Sequence, residues 1–226
     1  SSDVCSSDLM FSVMLFCMVF MLYPRASISA KRIMAVLNTE TSIENHPGNA
    51  QTDSGSGEHS VIFEHVDFVY PDGEEAVLKD ISFSAKSGET VAFIGSTGSG
   101  KSSLIQLIPR FYDRASGNIY IDGQKIEDLD INTLRSKIGF VPQKAHLFSG
   151  TIEENIRFGK PDATMDEIIH AAKIAQAYDF IMEKPHQFQE QIVEGATNVS
   201  GGQKQRLSIA RALIRKPEIY IYDDSF

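Results

Sequence analysis

The residues from Gly95 to Ser102 have the spacing of a loop that binds phosphate groups. They fit the pattern G-x-x-x-x-G-K-[ST], in which glycines permit a tight turn and successive backbone N–H groups face phosphate oxygens. Lys101 is expected to reach the outer phosphates, and the Ser102 hydroxyl to bind Mg²⁺. Together with the residue that follows the loop, the predicted nucleotide-binding residues are Gly95, Ser96, Thr97, Gly98, Ser99, Gly100, Lys101, Ser102 and Ser103.

The segments on either side of this loop have the patterns of a strand and a helix. Val91–Ile94 is apolar and predicts a buried strand, and Ser103–Phe111 has a helical pattern until Pro109. Strand, loop and helix in this order form the context in which a phosphate loop occurs. This context favours nucleotide binding over an ordinary glycine-rich turn.

The composition is typical of a folded globular protein. The chain has 226 residues, of which 42% are hydrophobic, and a net charge of −9. This length allows one sizeable domain with an appendage. The acidic balance argues against a nucleic-acid partner. Cys5 and Cys17 lie near the N-terminus, so the sequence predicts no disulfide framework and no cysteine metal site.

An apolar segment near the N-terminus has the composition of a membrane helix. Met10–Leu22 is nearly all apolar, but its 13 residues are fewer than the roughly 20 that a membrane crossing needs. It is either a buried helix or the end of a transmembrane helix. Arg25, Lys31 and Arg32 favour the second alternative, with this flank in the cytoplasm. Ser1–Leu9 is polar and is predicted not to be native sequence.

Two further segments precede the main domain. Ala26–Asn38 has apolar residues at helical spacing and is expected to continue as an amphipathic helix. Thr39–Ser60 is rich in Thr, Ser, Asn and Gly and predicts a solvated linker. We therefore expect the end of a membrane helix with its extension at 10–38, a linker at 39–60 and a folded domain at 61–226.

Apolar periodicity divides this domain into strands and helices. The predicted strands, besides the one before the phosphate loop, are Val61–Tyr70, Ala76–Phe83, Gly117–Gly123, Ile138–Val141 and Ile219–Tyr222. The predicted helices after the loop are Asp166–Met182, with acids in its first turn, and Gly201–Ile214.

The last predicted strand ends in two carboxylates, Asp223 and Asp224. A phosphate-loop ATPase needs one carboxylate beside the loop to hold Mg²⁺ and a second group to position the attacking water. Asp223 is predicted to serve the first role and Asp224 the second. Acidic residues at a strand end are common by themselves, and the phosphate loop upstream is what gives them this interpretation.

A third motif opens the helix predicted from Gly201. A Ser-Gly-Gly turn presents exposed amides and the positive end of a helix dipole, which form a second anion-binding terminus. From the residues alone, an ordinary N-cap at Ser200 is the alternative. The run Val199–Gln203 resembles the signature sequence L-S-G-G-Q of ABC-type ATPases, with Val199 in place of the leading Leu.

This resemblance covers Val61–Phe226 and carries further motifs in the family's order. It implies an α/β P-loop NTPase (ABC ATPase) domain with a β-rich N-terminal subdomain and a helical insertion between Gln143 and Ser200, binding ATP with Mg²⁺. The implied roles are adenine stacking by Tyr70, phosphate binding by the Walker A loop, Mg²⁺ coordination by Ser102, Gln143 and Asp223, catalysis by Asp224 and Gln143, and contact with ATP by Ser200, Gly201, Gly202 and Gln203.

The resemblance also implies a longer transporter. Pro24–Ile33 resembles the stretch that joins the last transmembrane helix of ABC exporters to the nucleotide-binding domain. This implies a multi-pass cell-membrane protein, with its own transmembrane domain and with the ATPase domain on the cytoplasmic side. ATP would lie between two such domains, held by Walker A of one and the signature of the other. Phe148–Ile156 resembles the stretch that meets the membrane domain's coupling helices; from the residues alone it is a surface loop with a helix cap.

Two departures from the family pattern affect the expected activity. Asp224 stands where the family has Glu, so its carboxylate is shorter by one methylene, about 1.5 Å. A misplacement of about 1 Å can reduce a rate by about a hundredfold. We therefore expect the weakened-site half of a heterodimer of two ABC half-transporters, in preference to a homodimer.

The second departure concerns the end of the chain. The family's D-loop and switch histidine would follow Phe226, so the chain as given is expected to turn ATP over poorly. Two alternatives remain from other classes. One is a non-hydrolysing regulatory or decayed ABC half, and the other is a soluble ABC ATPase that does not transport.

Overall fold

The computed structural model describes residues 2–39, 41, 43, 45 and 60–224. The chain divides into two compact units, Ser1–Glu44 and Asn45–Phe226, which are described separately. Most of the predicted linker, 39–60, lies outside the described residues. The three boundaries expected from the sequence, and the non-native origin of residues 1–9, stay predictions.

The first unit contains one long helix, α1 (Ser2–Leu37), which continues through Pro24. The two apolar segments predicted from the sequence are parts of this single helix. Its portion Leu9–Leu37 is long and apolar enough to cross a membrane. The large apolar side chains from Leu9 to Leu37 are exposed, at 50–75% of their full accessibility. The first unit by itself therefore leaves this helix exposed, and the choice between a buried helix and a transmembrane helix stays a prediction.

The second unit begins with a four-stranded antiparallel sheet in the order β2-β1-β3-β4. Its strands are β1 (Ser60–Phe68), β2 (Leu78–Lys86), β3 (Ser116–Ile121) and β4 (Gln124–Lys125). This sheet is the β-rich subdomain that the sequence predicts. Strand β2 begins two residues later than Ala76 and continues beyond Phe83, up to Lys86.

A bulge in β1 keeps its apolar side chains on one face. Val61 and Phe63 point inward with the ordinary alternation, and Val66 and Phe68 continue on the same face after one extra residue. His65 lies at the bulge and adopts a left-handed conformation, with a φ of 48°. All four apolar side chains are buried, which gives the sheet one continuous core face.

A parallel pair of strands, β5 (Ile138–Val141) and β8 (Ile219–Tyr222), lies at the predicted positions. Their pairing sets Val141 opposite Tyr222, so the residues that follow both strands leave the sheet at the same end. Helices α2 (Lys101–Leu107) and α3 (Ile131–Ser136) belong to this part of the unit. Helix α2 begins earlier and ends earlier than the predicted Ser103–Phe111.

The strand predicted immediately before the phosphate loop is not observed. Residues 91–96 have no strand assignment, Val91 is 41% exposed and Ile94 is 96% exposed. Phe93 alone of the apolar run packs closely, with its ring centroid 5.0 Å from that of Phe83. A strand is defined by its pairing with a neighbour, and residues 91–96 pair with none of the described strands.

The helical insertion between Gln143 and Ser200 is present. It contains α4 (Ile152–Arg157), α5 (Met165–Ile174) and α6 (Tyr178–Met182), two short 3₁₀ turns, and the strand pair β6 (Gly150–Thr151) and β7 (Gln191–Ile192). Together with α7 (Gly201–Leu213) it encloses a core of its own, in which Ile152, Ile168 and Leu207 are fully buried.

The single helix predicted over Asp166–Met182 is wrong, because the structure has two helices there. The chain leaves the helical conformation at Gln176, whose φ is 54°. Helix α5 begins at Met165, one residue before the predicted start, and has Asp166 and Glu167 in its first turn. Thr164 caps it by accepting from the backbone N–H of Glu167.

Candidate functional site

The phosphate loop curls around the ammonium group of Lys101. Nζ of Lys101 donates to the carbonyl oxygens of Gly95 and Ser96 at 2.9 and 2.8 Å. The glycines make this curvature possible, because Gly98 and Gly100 have φ angles of 82° and 88°. The ammonium group of Lys101 therefore lies inside the predicted loop, where backbone carbonyl oxygens of the loop accept its hydrogen bonds.

Ser102 and Asp223 bring the first and the last predicted motifs into contact. The Ser102 hydroxyl donates to Oδ1 of Asp223 at 2.8 Å. Asp223 is buried at 9% exposure, and its backbone N–H donates to Val141, which continues the parallel ladder. The strand pairing of β5 and β8 thus fixes the carboxylate beside the first turn of α2.

This hydroxyl and carboxylate fit a magnesium ion. Mg²⁺ takes oxygen ligands at 2.0–2.1 Å in octahedral geometry, so two adjacent ligand oxygens lie roughly 3 Å apart. The distance of 2.8 Å between Ser102 Oγ and Asp223 Oδ1 is close to that value. The donor types and their separation are therefore compatible with the cation.

Gln143 and Asp224 form a second contact at the same end of the strands. Nε2 of Gln143 donates to Oδ2 of Asp224 at 3.2 Å. Both side chains are exposed, and Asp224 has a left-handed φ of 46°. Gln143 comes two residues after β5 and Asp224 two residues after β8, so the pairing of these strands brings the two residues together.

Tyr70 lies beside the helix that follows the phosphate loop. Its hydroxyl is 2.8 Å from the hydroxyl of Ser103, which is buried. Its ring packs edge to face against Phe68 and Tyr112, at centroid distances of 4.7 and 5.1 Å. Tyr112 thus supports Tyr70, and the sequence carries no motif from which this role could be predicted.

The signature motif forms the beginning of α7 with a reciprocal cap. Ser200 Oγ accepts from the backbone N–H of Gln203, and the Gln203 side chain accepts from the backbone N–H of Ser200. The N-cap expected as the alternative is therefore present. Gly201 and Gly202 are exposed, and an added Cβ would meet nothing within 4 Å at either position. Packing within the described chain does not require these two glycines.

An open cleft of about 690 Å³ lies next to the Gln143–Asp224 pair. Gly201 and Gly202 of the signature also line it, whereas no residue of the phosphate loop does. Tyr222 also lines the cleft, and its pKa is raised by burial and by Tyr220. The cleft thus relates the signature to the predicted catalytic pair rather than to the phosphate loop.

Comparison with known proteins gives the same classification as the motifs. The profile of the ABC transporter family matches residues 78–226. This chain therefore belongs to the ABC transporter family, and its fold is the ATP-binding domain of that family.

Individual relatives are exporters or ATP-binding proteins by their names. The chain is 49% identical over 211 residues to an uncharacterized ABC transporter ATP-binding protein of Bacillus subtilis, YfiB, which covers 93% of this chain. It is 51% identical over 165 residues, 73% of this chain, to a putative multidrug export ATP-binding/permease protein of Staphylococcus aureus.

A solved structure is also similar. The ATP-bound structure of a bacterial Atm1-family ABC exporter matches with a TM-score of 0.82 and 35% identity, over 92% of this chain. This chain spans only 36% of that exporter, 36% of the Bacillus relative and 28% of the Staphylococcus relative.

Proposed function

We propose that this chain is the ATP-binding and hydrolysing part of an ABC exporter. The observation that carries the proposal is the contact of Ser102 with Asp223 next to a loop that encloses Lys101. These are the groups that a triphosphate with its metal requires: a cation for the outer phosphates and two oxygen ligands.

The residues of the site have separate tasks in this proposal. Lys101 exchanges the carbonyl oxygens of Gly95 and Ser96 for phosphate oxygens, which are stronger acceptors because they are charged. Ser102, Asp223 and Gln143 would hold Mg²⁺, and the bound cation would supply positive charge next to the phosphates. Asp224 positions the attacking water. Tyr70 stacks on the adenine.

We assign a weakened hydrolytic site to this chain. Asp224 is shorter than the glutamate of the family pattern, and its carboxylate accepts a hydrogen bond from Gln143. This bond engages the same carboxylate that has to orient water, and both effects reduce the rate. The signature departs from the family pattern only at Val199, so this chain supplies a near-consensus signature to a partner half-transporter. A heterodimer follows from this assignment.

Transport completes the proposal. The export function in the names of the Staphylococcus and Atm1-family relatives supports a membrane-embedded parent protein. Helix α1, with Leu9–Leu37 long and apolar enough to cross a membrane, supports the same placement. ATP-driven closure of two such domains drives export, with this domain on the cytoplasmic side and Phe148–Ile156 facing the membrane domain.

Substitution of Asp224 tests the hydrolytic assignment. In the full-length transporter, we expect slow turnover of ATP by a homodimer of this subunit and a gain of about tenfold or more in Asp224→Glu, which restores the missing methylene. Asp224→Asn should abolish the residual rate. Rapid hydrolysis by the homodimer, with no gain in Asp224→Glu, would contradict a weakened site.

A non-hydrolysing half is the second candidate, and the Gln143–Asp224 hydrogen bond favours it. It predicts that ATP binds with ordinary affinity while neither the native subunit nor Asp224→Glu hydrolyses it. The same set of measurements therefore separates the two candidates.

A further inference from the structure

Arg211 of α7 donates three hydrogen bonds to the segment that follows Gln143. Its Nη1 donates to the carbonyl of His146, its Nε to the carbonyl of Asn155, and its Nη2 to the side-chain oxygen of Asn155, each at 2.8 Å. A planar guanidinium with donors in fixed directions suits such a set of acceptors, and a lysine does not.

The face of the same guanidinium lies against two exposed aromatic rings. Its carbon atom is 5.1 Å from the ring centroid of Phe148 and 5.8 Å from that of Phe158. The two rings are 4.7 Å apart and are 50% and 64% exposed. We call Phe148 and Phe158 the aromatic surface. Arg211 packs against both rings of the aromatic surface through cation–π contacts, which hold the rings in position.

Asn155 connects these contacts into one unit. It is 2% exposed, its Nδ2 donates to the carbonyls of Phe148 and Thr151, and its Oδ1 accepts from the backbone N–H of Phe148. Gly159 lies against the backbone of the same helix. A Cβ added at this position would be 2.1 Å from the carbonyl oxygen of Arg211. The loop from His146, helix α4 and helix α7 are therefore fastened together at Arg211.

The other end of α7 begins with the signature. Ser200 and Arg211 are eleven residues apart, which is about 16 Å along a helix. A helix of this length transmits a displacement of one end to the other, since its backbone hydrogen bonds resist bending. A shift of the signature thus reaches the aromatic surface if the contacts of Arg211 hold.

We infer that Arg211 is a positioning residue that makes the aromatic surface move with the signature helix. The inference rests on the proposed function, in which ATP engages the site and Phe148–Ile156 faces the membrane domain. Arg211 touches neither ATP nor the reacting atoms. It determines whether a change at the signature appears at the aromatic surface.

Hydrogen exchange of the full-length transporter, with and without ATP and Mg²⁺, tests this inference. In the native protein we expect ATP to change exchange in three segments: 95–103, 200–206 and 146–158. In Arg211→Gln we expect the responses of 95–103 and 200–206 to remain. The response of 146–158 should fall about fivefold or more, because the coupling between two sites in a protein is typically at least about fivefold. Arg211→Lys keeps the positive charge but lacks the planar set of guanidinium donors. Its response at 146–158 should therefore fall less than that of Arg211→Gln.

Arg215→Gln is the matched control, because Arg215 is an exposed arginine two residues beyond the end of α7, and all its responses should equal the native ones. Melting temperatures show whether Arg211→Gln is folded. If it is not, the exchange response of Arg211→Lys is used in its place.

Two results would overturn the inference. One is a full ATP response of segment 146–158 in Arg211→Gln, or in Arg211→Lys where that variant is used. The other is a native protein in which 95–103 and 200–206 respond to ATP and 146–158 does not. Absence of a native response at 95–103 contradicts the proposed ATP binding instead.

Discussion

The hydroxyl of Ser102 donates to the carboxylate of Asp223 at 2.8 Å, although 121 residues separate the two in the sequence. Ser102 lies in the first turn of helix α2, after the phosphate loop, and Asp223 follows strand β8. The parallel pairing of β8 with β5 brings them together by fixing where the end of β8 lies. This contact is the basis of the magnesium assignment.

Asp223→Asn should reduce the magnesium dependence of ATP binding. The substitution keeps the size of the side chain but loses the charge that a hard cation needs. We expect Mg²⁺ to increase the ATP affinity of the native protein, and the increase to fall by about tenfold or more in the variant. Titration of ATP with Mg²⁺ or EDTA measures it. Asp72→Asn, at an exposed turn, is the control and should behave as the native protein.

Tyr70 allows its ring and its hydroxyl to be tested separately. Tyr70→Phe loses only the hydrogen bond to Ser103, so we expect an ATP affinity within about twofold of the native value, since a typical net hydrogen bond is small. Tyr70→Ala also loses the ring, and stacking of about 1–3 kcal/mol predicts a loss of about tenfold. If Phe and Ala weakened ATP binding equally, the hydroxyl rather than the ring would be the important group.

Gly159→Ala should destabilise the fold. The added methyl group would lie 2.1 Å from the carbonyl oxygen of Arg211 and 2.8 Å from a methyl group of Ile214. Overpacking of this kind costs about 1–3 kcal/mol, and each kcal/mol lowers the melting temperature by about 2–4 °C in a chain of this size. Gly202→Ala is the control, because its methyl group meets nothing within 4 Å. A melting temperature of Gly159→Ala equal to that of Gly202→Ala would refute the close approach of α4 and α7.

His65 should titrate above its ordinary pKa of 6.5. The hydrogen bond and the charge of Asp80, 2.6 Å away, raise its pKa. A raised pKa in the folded state stabilises the fold fully below pH 6.5, and this contribution is lost as the pH rises through the raised pKa. NMR titration of the imidazole checks the value, and Asp80→Asn should return it towards 6.5. An unchanged titration in that variant would contradict the pairing.

The sequence motifs singled out residues that the structure brings into contact, because such motifs are short and fixed in spacing; their roles in the site stay predictions. Ser102, Asp223, Gln143 and Asp224 were assigned from the loop, the strand end and the family order, and the structure places them in two contacting pairs. Contacts that depend on long-range packing were not predictable. Nothing in the local sequence of Arg211 indicates that it reaches His146, which lies 65 residues away.

Local patterns also failed where a neighbouring element decides the outcome. The apolar run Val91–Ile94 satisfies the pattern of a buried strand, but a strand also requires pairing, and this run pairs with none of the described strands. The periodicity of Asp166–Met182 is helical throughout, yet Gln176 adopts a left-handed conformation, which periodicity cannot indicate. The bulge at His65 is a similar case, since it keeps Val66 and Phe68 on the core face.

Binding of ATP by the native protein and by Lys101→Ala tests the central claim most directly. The Lys101 ammonium lies within the loop, and charged hydrogen bonds to phosphate contribute about 1.5–3 kcal/mol, so the variant should bind about tenfold more weakly or worse. Lys125→Ala, an exposed lysine on β4, should bind as the native protein. The predicted result is saturable, Mg²⁺-dependent binding that is weakened about tenfold or more in Lys101→Ala and unchanged in Lys125→Ala. No binding by the native protein, or equal binding by both lysine variants, would contradict the account.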